Sequence, residues 1–462
     1  MVVFHLKENA YKYVMLLLFL VIVVASQTWV RAEDAQEEAL GTEGVMVWNE
    51  EEIWDFPALH LTSERHPFQV ERGFWHPGVA TVPGAFENVN IQIRGRGNST
   101  WDNALGDGIE KLPLRVRFYE EMQVFDSAYA HRDWILMANA FDFALLRNYF
   151  VFYLAELMGT TGFVPTVQNF HLYINGEYMG VYQLVDERDI GPGRLDMFIH
   201  PDPTISEYMI QMGERSRPHR IDSRFSVNRF RYGISLPDRR ARTMGHDEYA
   251  EDFIRRFSQA LRSTELDWDV ISGFIDLDSF VDYYLIQELT RNIDVGTSSV
   301  FMQIRGQGDE RRLHMGPVWD FDLILGVIPR GSDRGGLQNT PEGLFVANRH
   351  YWFRHLINIP EFRDKVVVRF NEIVATEIPL VVQEIERLST TYVADFNRNF
   401  ERHEINSFRC LGGYCLNDTF SEHVDYMLEF LHDRIAYLDG IFNAPHIEDY
   451  IPARDDPFIS WR

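Results

Sequence analysis

Two stretches place carboxylates in turn-forming sequence. In "QELTRNIDVGTSSVFMQI", Asn292 and Asp294 fall where a helical pattern stops and before an apolar strand pattern starts. In "RRLHMGPVWDFDLILG", Asp320 and Asp322 follow a proline-led strand pattern. Paired acidic loops of this kind suit divalent-metal chemistry, because Mg²⁺ prefers hard oxygen ligands and keeps room for phosphate oxygens. A surface turn with solvated aspartates is the plainer alternative. A third stretch, "RGRGNSTW", offers Arg94, Arg96 and Asn98 around two glycines. Small residues leave backbone N–H groups open to an anion, and arginine adds charge. It lacks the closing Gly-Lys-Ser/Thr of a P-loop, so an ordinary glycine-arginine turn is the competing reading.

The surrounding elements must position these groups. Val89, Ile91 and Ile93 alternate as a strand into Arg94. "KLPLRVRFYE" alternates again, with Leu114, Val116 and Phe118 on one face and Arg115 and Arg117 on the other. Residues 142–158 carry a wide apolar stripe at helical spacing, with Asp142 as the expected N-cap and Gly159 as the stop. "NFHLYI" and "EYMGVYQLVDE" flank Asn175-Gly176, a two-residue hairpin turn. That hairpin ends in Asp186-Glu187-Arg188, read either as a surface ion cluster or as a hinge presenting polar edges to a nucleotide base. Helical spacing recurs near 247–262, 276–290, 361–379, 381–396 and 421–439. Strands are expected at 299–305 and near 313–318. If those two strands pair antiparallel, the acidic loops are expected at opposite ends unless the connection bends back.

The chain has 462 residues, 45% of them hydrophobic, enough for a sizeable core and against disorder. Its 44 Lys and Arg against 69 Asp and Glu give a net charge of −25, which argues against broad nucleic-acid binding. Against that background, 214–242 holds nine arginines and only Glu214, Asp222 and Asp238 as acids, near +6. It reads either as a solvated loop or as an insert that recognises phosphate or acidic groups. Near the start, Lys7 and Lys12 precede an apolar run from Val14 to Ala25, too short to span a bilayer. It fits a signal peptide, with a retained anchor as the alternative. The expected location is therefore secreted or cell-surface, with transient membrane association only through that segment. Cys410 and Cys415 could close a short disulfide in an oxidising compartment, or remain two buried thiols. The neighbouring Asn417-Asp418-Thr419 is a glycosylation sequon.

"IRGRGNSTW", "KLPLRVRF", "DFALLRNYFVFYLAELMG", "LYINGEYMGVYQLVDE", "RNID" and "GPVWDFDLILG" occur in this order. Together they resemble the CotH family of spore-coat and surface-protein kinases, over roughly 85–330 with the helical tail as the remainder. The resemblance implies an α+β, atypical two-lobed protein-kinase-like fold, with a mixed N-terminal lobe and a mainly helical C-terminal lobe. The implied organisation is a signal or anchor at 1–32, an acidic leader at 33–55, a smaller lobe at 56–190, a mainly helical lobe at 191–445 and a tail to 462. The implied activity is transfer of the ATP γ-phosphoryl group to serine or threonine of a coat, surface or secreted protein, with ATP and Mg²⁺ or Mn²⁺. Carried over by motif, Asp294 is the catalytic aspartate, Asp320 the metal aspartate and Asp322 a second ligand or support. Lys111 is implied as a phosphate contact, Arg94, Arg96 and Asn98 as lining of the nucleotide site, and Glu187 as the acid closing the hairpin. One position departs from the family pattern: five residues after Asp294 the family usually has Asn, and here stands Ser299, a shorter oxygen donor to a metal. Two alternatives stand beside the kinase: a weak or inactive surface adhesion or structural module that keeps the fold, and a nucleotidyl or other phosphoryl transferase.

Overall fold

The computed structural model describes residues 54–64, 73–97, 100–101, 111–213, 224–228, 230–327, 340–403 and 417–454. All of them fall in one unit that begins at Trp54. The apolar run 14–25, Asn98, Ser99, Cys410, Cys415 and four arginines of the basic segment, Arg215, Arg217, Arg220 and Arg229, lie outside the described residues. The chain folds as α+β, with a closed β-barrel followed by a mainly helical region.

Seven strands close the barrel: β1 (Ala58–Ser63), β2 (His76–Val82), β3 (Phe86–Gly95), β4 (Leu114–Met122), β5 (His131–Met137), β6 (Val167–Ile174) and β7 (Glu177–Asp186). They lie in the order β1-β2-β3-β4-β5-β7-β6. β1 closes it by running parallel to β6, Ala58 opposite His171 and Leu61 opposite Ile174. Closure removes the unpaired edges that an open sheet would present. Alternation directs Leu59, Leu61, Ile91, Ile93, Leu114, Val116, Trp134, Leu136, Leu172 and Leu184 into the barrel core. Each such side chain contributes about 1.5–3 kcal/mol on burial. β5 and β7 are covered on both sides: Ile135, Met137, Val181 and Val185 join the second core, shared with the helices. That double burial explains the continuous apolar run "WILM". The β6–β7 turn is the expected one, Asn175 and Gly176 both lying at positive φ.

Helix α1 (Arg147–Met158) starts later than its spacing predicts. Asp142 is not its N-cap. Instead the Asp142 carboxylate accepts from the Ala144 and Arg147 N–H groups and pairs with the Arg147 guanidinium at 2.6 Å. The short polar side chain competes successfully with helix for local donors, so a turn precedes the helix. Gly159 ends it at φ 76, as expected.

A second, antiparallel sheet follows, in the order β12-β11-β8-β10-β9. Its strands are β8 (Tyr208–Met212), β9 (Arg224–Val227), β10 (Phe230–Leu236), β11 (Val300–Arg305) and β12 (Arg312–Met315). Helices α2 (His246–Arg262), α3 (Trp268–Ser272) and α4 (Leu277–Thr290) precede β11. After β12 come α5 (Tyr351–Ile357), α6 (Pro360–Ala375), α7 (Glu377–Thr391), α8 (Val393–Arg402) and α9 (Phe420–Phe442). The predicted helix over 381–396 is thus two pieces, broken at Tyr392. α4 is buried from Ser279 to Thr290, so it is the central rod of this region. Asp276 caps it, accepting from the Ser279 N–H at 2.9 Å. Near its far end Glu288 pairs with Arg434 of α9 and accepts from the Val346 N–H at 2.8 Å. At the start of α9, Thr419 and Glu422 form a reciprocal capping box. Among the described residues, no helix is long and apolar enough to cross a membrane.

Candidate active site

The rigid end of α4 sets the first loop. Arg291 leaves the helix in the left-handed region, and its guanidinium donates to the Gly343 carbonyl at 3.1 Å. The Asp294 N–H then donates to Asn292 Oδ1 at 3.0 Å, and the Asp294 carbonyl accepts from Thr297 and Ser298. A Cβ at Gly296 would overlap the Arg349 carbonyl, so this loop needs glycine there. Asp294 is half-buried at the mouth of this turn.

The second loop arrives at the same end, correcting the expectation of opposite ends. β11 and β12 pair antiparallel, Met302 opposite Met315 and Arg305 opposite Arg312. In a hairpin, entry to the first strand and exit from the second are neighbours, so no bend is required. Ser299 Oγ donates to Asp320 Oδ2 at 2.7 Å across that end. Both residues hold positive φ, 56° for Ser299 and 70° for Asp320. Non-glycine residues seldom adopt that conformation unless their surroundings enforce it. The enforcement is visible. The Phe321 N–H donates to Asn148 Oδ1 at 2.8 Å, and Asn148 donates to Asn139, which donates to Gln183 of β7. Arg147 Nε donates to the Ile324 carbonyl at 2.9 Å, and the Leu325 N–H to the Thr290 carbonyl of α4. The second acidic loop is therefore bolted to the barrel, to α1 and to α4 at once.

Charge converges here. Asp322 is half-buried, and loss of water around its carboxyl raises the pKa well above the ordinary carboxylate range. Repulsion from Asp320, Asp294 and Asp142, in that order, pushes the same way. Four carboxylates thus share one neighbourhood, three expected and one, Asp142, legible in the sequence only as a cap. A buried arginine five residues after it is the available signal, since Arg147 in an apolar helix needs a buried acid. A raised carboxyl pKa means the folded state holds a proton that the unfolded chain has released, so stability falls as pH rises through that window. Asp322→Asn is therefore expected to raise the melting temperature at pH 7 by about 2 °C. A thermal melt without metal checks it; a lower midpoint than wild type contradicts it.

Within reach of the Asp142 charge stands Lys111, 2% exposed. Its Nζ has no hydrogen-bond partner among the described residues and lies 5.5 Å from the Tyr182 ring centroid. Burial lowers its pKa to about 7, and the Asp142 charge opposes that fall. Two arginines flank the second loop. Arg188, just after β7, stacks on Phe301 at 4.1 Å and on Trp319 at 4.0 Å, and Arg96 lies 5.5 Å from the Trp319 ring. The sequence marks Arg188 only as part of the hairpin's terminal ion cluster.

Two other expected residues are held by contacts on the barrel. Arg94 lies opposite Arg115 on the outward face of the barrel and covers Trp75 at 4.5 Å. Glu187 pairs with Arg115 at 2.9 Å, which also meets Asp133. In "RGRG", the Arg96 N–H donates to the Pro113 carbonyl, so it is not open to an anion. Gly95 is needed because a Cβ would overlap the Trp101 ring. Asn98 lies outside the described residues.

Among the described residues, no group of three or more His, Cys, Asp or Glu side chains is gathered closely enough to hold a metal ion alone. Neighbouring carboxylates of this kind suit instead a cation that arrives with phosphate oxygens, since Mg²⁺ in such sites takes one or two protein carboxylates and substrate phosphates.

No curated protein matches the chain. The sequence profile of the family described as CotH kinase protein matches residues 92–438, from the middle of β3 into α9. That match takes in Lys111, Asp142, Asp294, Ser299, Asp320 and Asp322 and covers most of the chain, which therefore belongs to the CotH kinase family.

Proposed function

We propose that this chain is an exported atypical protein kinase that transfers the γ-phosphoryl group of ATP to serine or threonine of a coat, surface or secreted protein. In this reading the barrel with helix α1, 56–190, acts as the smaller lobe, and 191–445 as the mainly helical lobe. The N-terminal 1–32 directs export, as a cleaved signal or a retained anchor. The observation that carries the reading is the meeting of Asp294, Asp320 and Asp322, with Asp142 linking that cluster to the buried Lys111.

The roles follow from chemistry. Asp294 stands on a turn held by its own backbone, suited to orient an acceptor hydroxyl and take its proton. Asp320 and Asp322 would hold Mg²⁺ or Mn²⁺, with Ser299 orienting Asp320 through its 2.7 Å hydrogen bond. The metal, when bound, supplies charge neutralisation at the phosphate oxygens. Lys111 offers its ammonium to the same oxygens, and Arg188 and Arg96 on Trp319 raise the positive potential beside them.

Labelling with Mg-ATP or Mn-ATP, followed by mass measurement of the adduct, tests this. A gain of one phosphoryl group on serine or threonine supports it. Adenylyl addition would replace it by nucleotidyl transfer. Asp294→Asn is expected to lower kcat by about 10²-fold with little change in nucleotide affinity, because the group acts on the acceptor. Equal rates in wild type and Asp294→Asn would remove Asp294 from the chemistry. One observation favours a second reading, a binding module with weak activity. Ser299 stands where the family usually has Asn, and its hydroxyl occupies an Asp320 oxygen.

A further inference from the structure

Beyond the transfer itself, the structure carries information on which acceptor the site would take. The second sheet has one face toward the helices and one away from them. On β10, Phe230 stacks on Tyr351 and Tyr232 on Trp352, so those residues face the helices. Arg231 therefore points to the opposite face and is exposed. Gly233, Gln211 and Phe301 form one row on that opposite face, and Arg188 lies over Phe301 in it. Arg231 is two residues further along, on the side of the acidic loops.

The connection to the site is direct. One residue past β8, Gly213 donates its N–H to the Arg231 carbonyl at 3.0 Å. A Cβ on Gly213 would lie 3.4 Å from Ser298 Cα and 3.5 Å from the Thr297 carbonyl, in the Asp294 loop. Arg231 and the catalytic-type loop are thus the two neighbours of Gly213. Strands lie about 4.8 Å apart, so Arg231 stands about 10 Å across the sheet from the loop. Three residues of extended chain cover about 10 Å. Arg224 lies opposite Gly233, on the same face and also exposed. Among the described residues, no side-chain hydrogen bond or ion pair is made by Arg224 or Arg231.

We infer that the Arg231–Arg224 face selects an acidic acceptor segment, one carrying a carboxylate or a phosphate about three residues from the acceptor hydroxyl. Guanidinium groups match both anions through paired N–H donors. The inference rests on the kinase reading for its purpose but not for its measurement. The full chain is titrated without nucleotide against fluorescent serine peptides bearing Glu, phosphoserine, Ala or Lys three residues away. Glu or phosphoserine peptides are expected to bind at least about tenfold more tightly than Ala or Lys peptides, with an advantage that shrinks as salt rises. Arg231→Glu is expected to abolish that preference while leaving ATP hydrolysis without peptide unchanged. The relative affinity of the Glu and phosphoserine peptides tells which anion is the better fit. Equal binding of all four peptides, preference for Lys, or a preference retained in Arg231→Glu overturns the inference, whether or not phosphoryl transfer occurs. Failure of transfer to every peptide, with the Arg231-dependent preference intact, overturns the kinase reading instead.

Discussion

Asp320→Ala is expected to reduce phosphoryl transfer by about 10³-fold or more, the largest loss of any single substitution in the site. The size follows from its position. Asp320 is held at φ 70 by contacts on three sides, so its carboxylate is presented rather than left to find the metal. It is also the charge that most strongly raises the Asp322 pKa after burial. Removing it therefore acts twice. One carboxylate of the proposed metal site is lost, and Asp322 ionises more readily because its strongest repulsive neighbour has gone. Mn²⁺ binding followed by electron paramagnetic resonance separates the two effects. Wild type should bind Mn²⁺ more tightly as pH rises, because the metal must displace the Asp322 proton. Asp320→Ala should bind weakly with a flatter pH dependence. An unaltered rate, or Mn²⁺ affinity equal to wild type, removes Asp320 from the metal site. A normal melting curve for the variant guards against a folding explanation.

How far the sequence reaches depends on how local each signal is. The Asn175-Gly176 turn and the Gly159 stop each need only a few neighbouring residues, and both are present in the fold. The pairing of β1 with β6 joins residues more than a hundred apart, and no local pattern announces it, so the sequence predicts a mixed lobe where the fold has a closed barrel. β5 escapes for a related reason. Buried on both faces, "WILM" loses the alternation that marks a strand. In the site, Asp294 and Asp320 are legible from loop chemistry and from the ordered motifs. Asp142 is masked, because a carboxylate before a helical stripe is the ordinary signature of a cap, and the one hint against it is Arg147 in an apolar helix, whose pairing with Asp142 the fold reveals. Arg188 is hidden likewise, since its stacking on Phe301 and Trp319 joins three separate segments.

Lys111→Met is expected to make the protein more stable and the enzyme about 10³-fold poorer in kcat/KM for ATP. The two signs have one cause. Lys111 is buried without a hydrogen-bond partner among the described residues, and its pKa falls to about 7 because burial outweighs the attraction of Asp142. In the unfolded chain the amine keeps the ordinary lysine value of 10.5. Between about pH 7 and 10.5 the unfolded state therefore binds more protons than the folded state, and stability rises with pH across that window. Below pH 7 the amine is charged in both states, and the full penalty of a buried ammonium is present. Methionine removes that penalty with similar volume. The gain in melting temperature should be greatest near pH 6 and should shrink by about pH 9. Catalysis reads the same group from the other side. Only the charged amine attracts phosphate, so wild-type kcat/KM for ATP should fall as pH rises above about 7, while kcat at saturating ATP holds to higher pH because bound phosphate restores the proton. Lys111→Met should lose that difference. A variant that melts lower than wild type at about pH 6 would show that Lys111 is a satisfied structural cation. A wild-type kcat/KM that is flat from about pH 6 to 9 would show that the amine never meets the nucleotide.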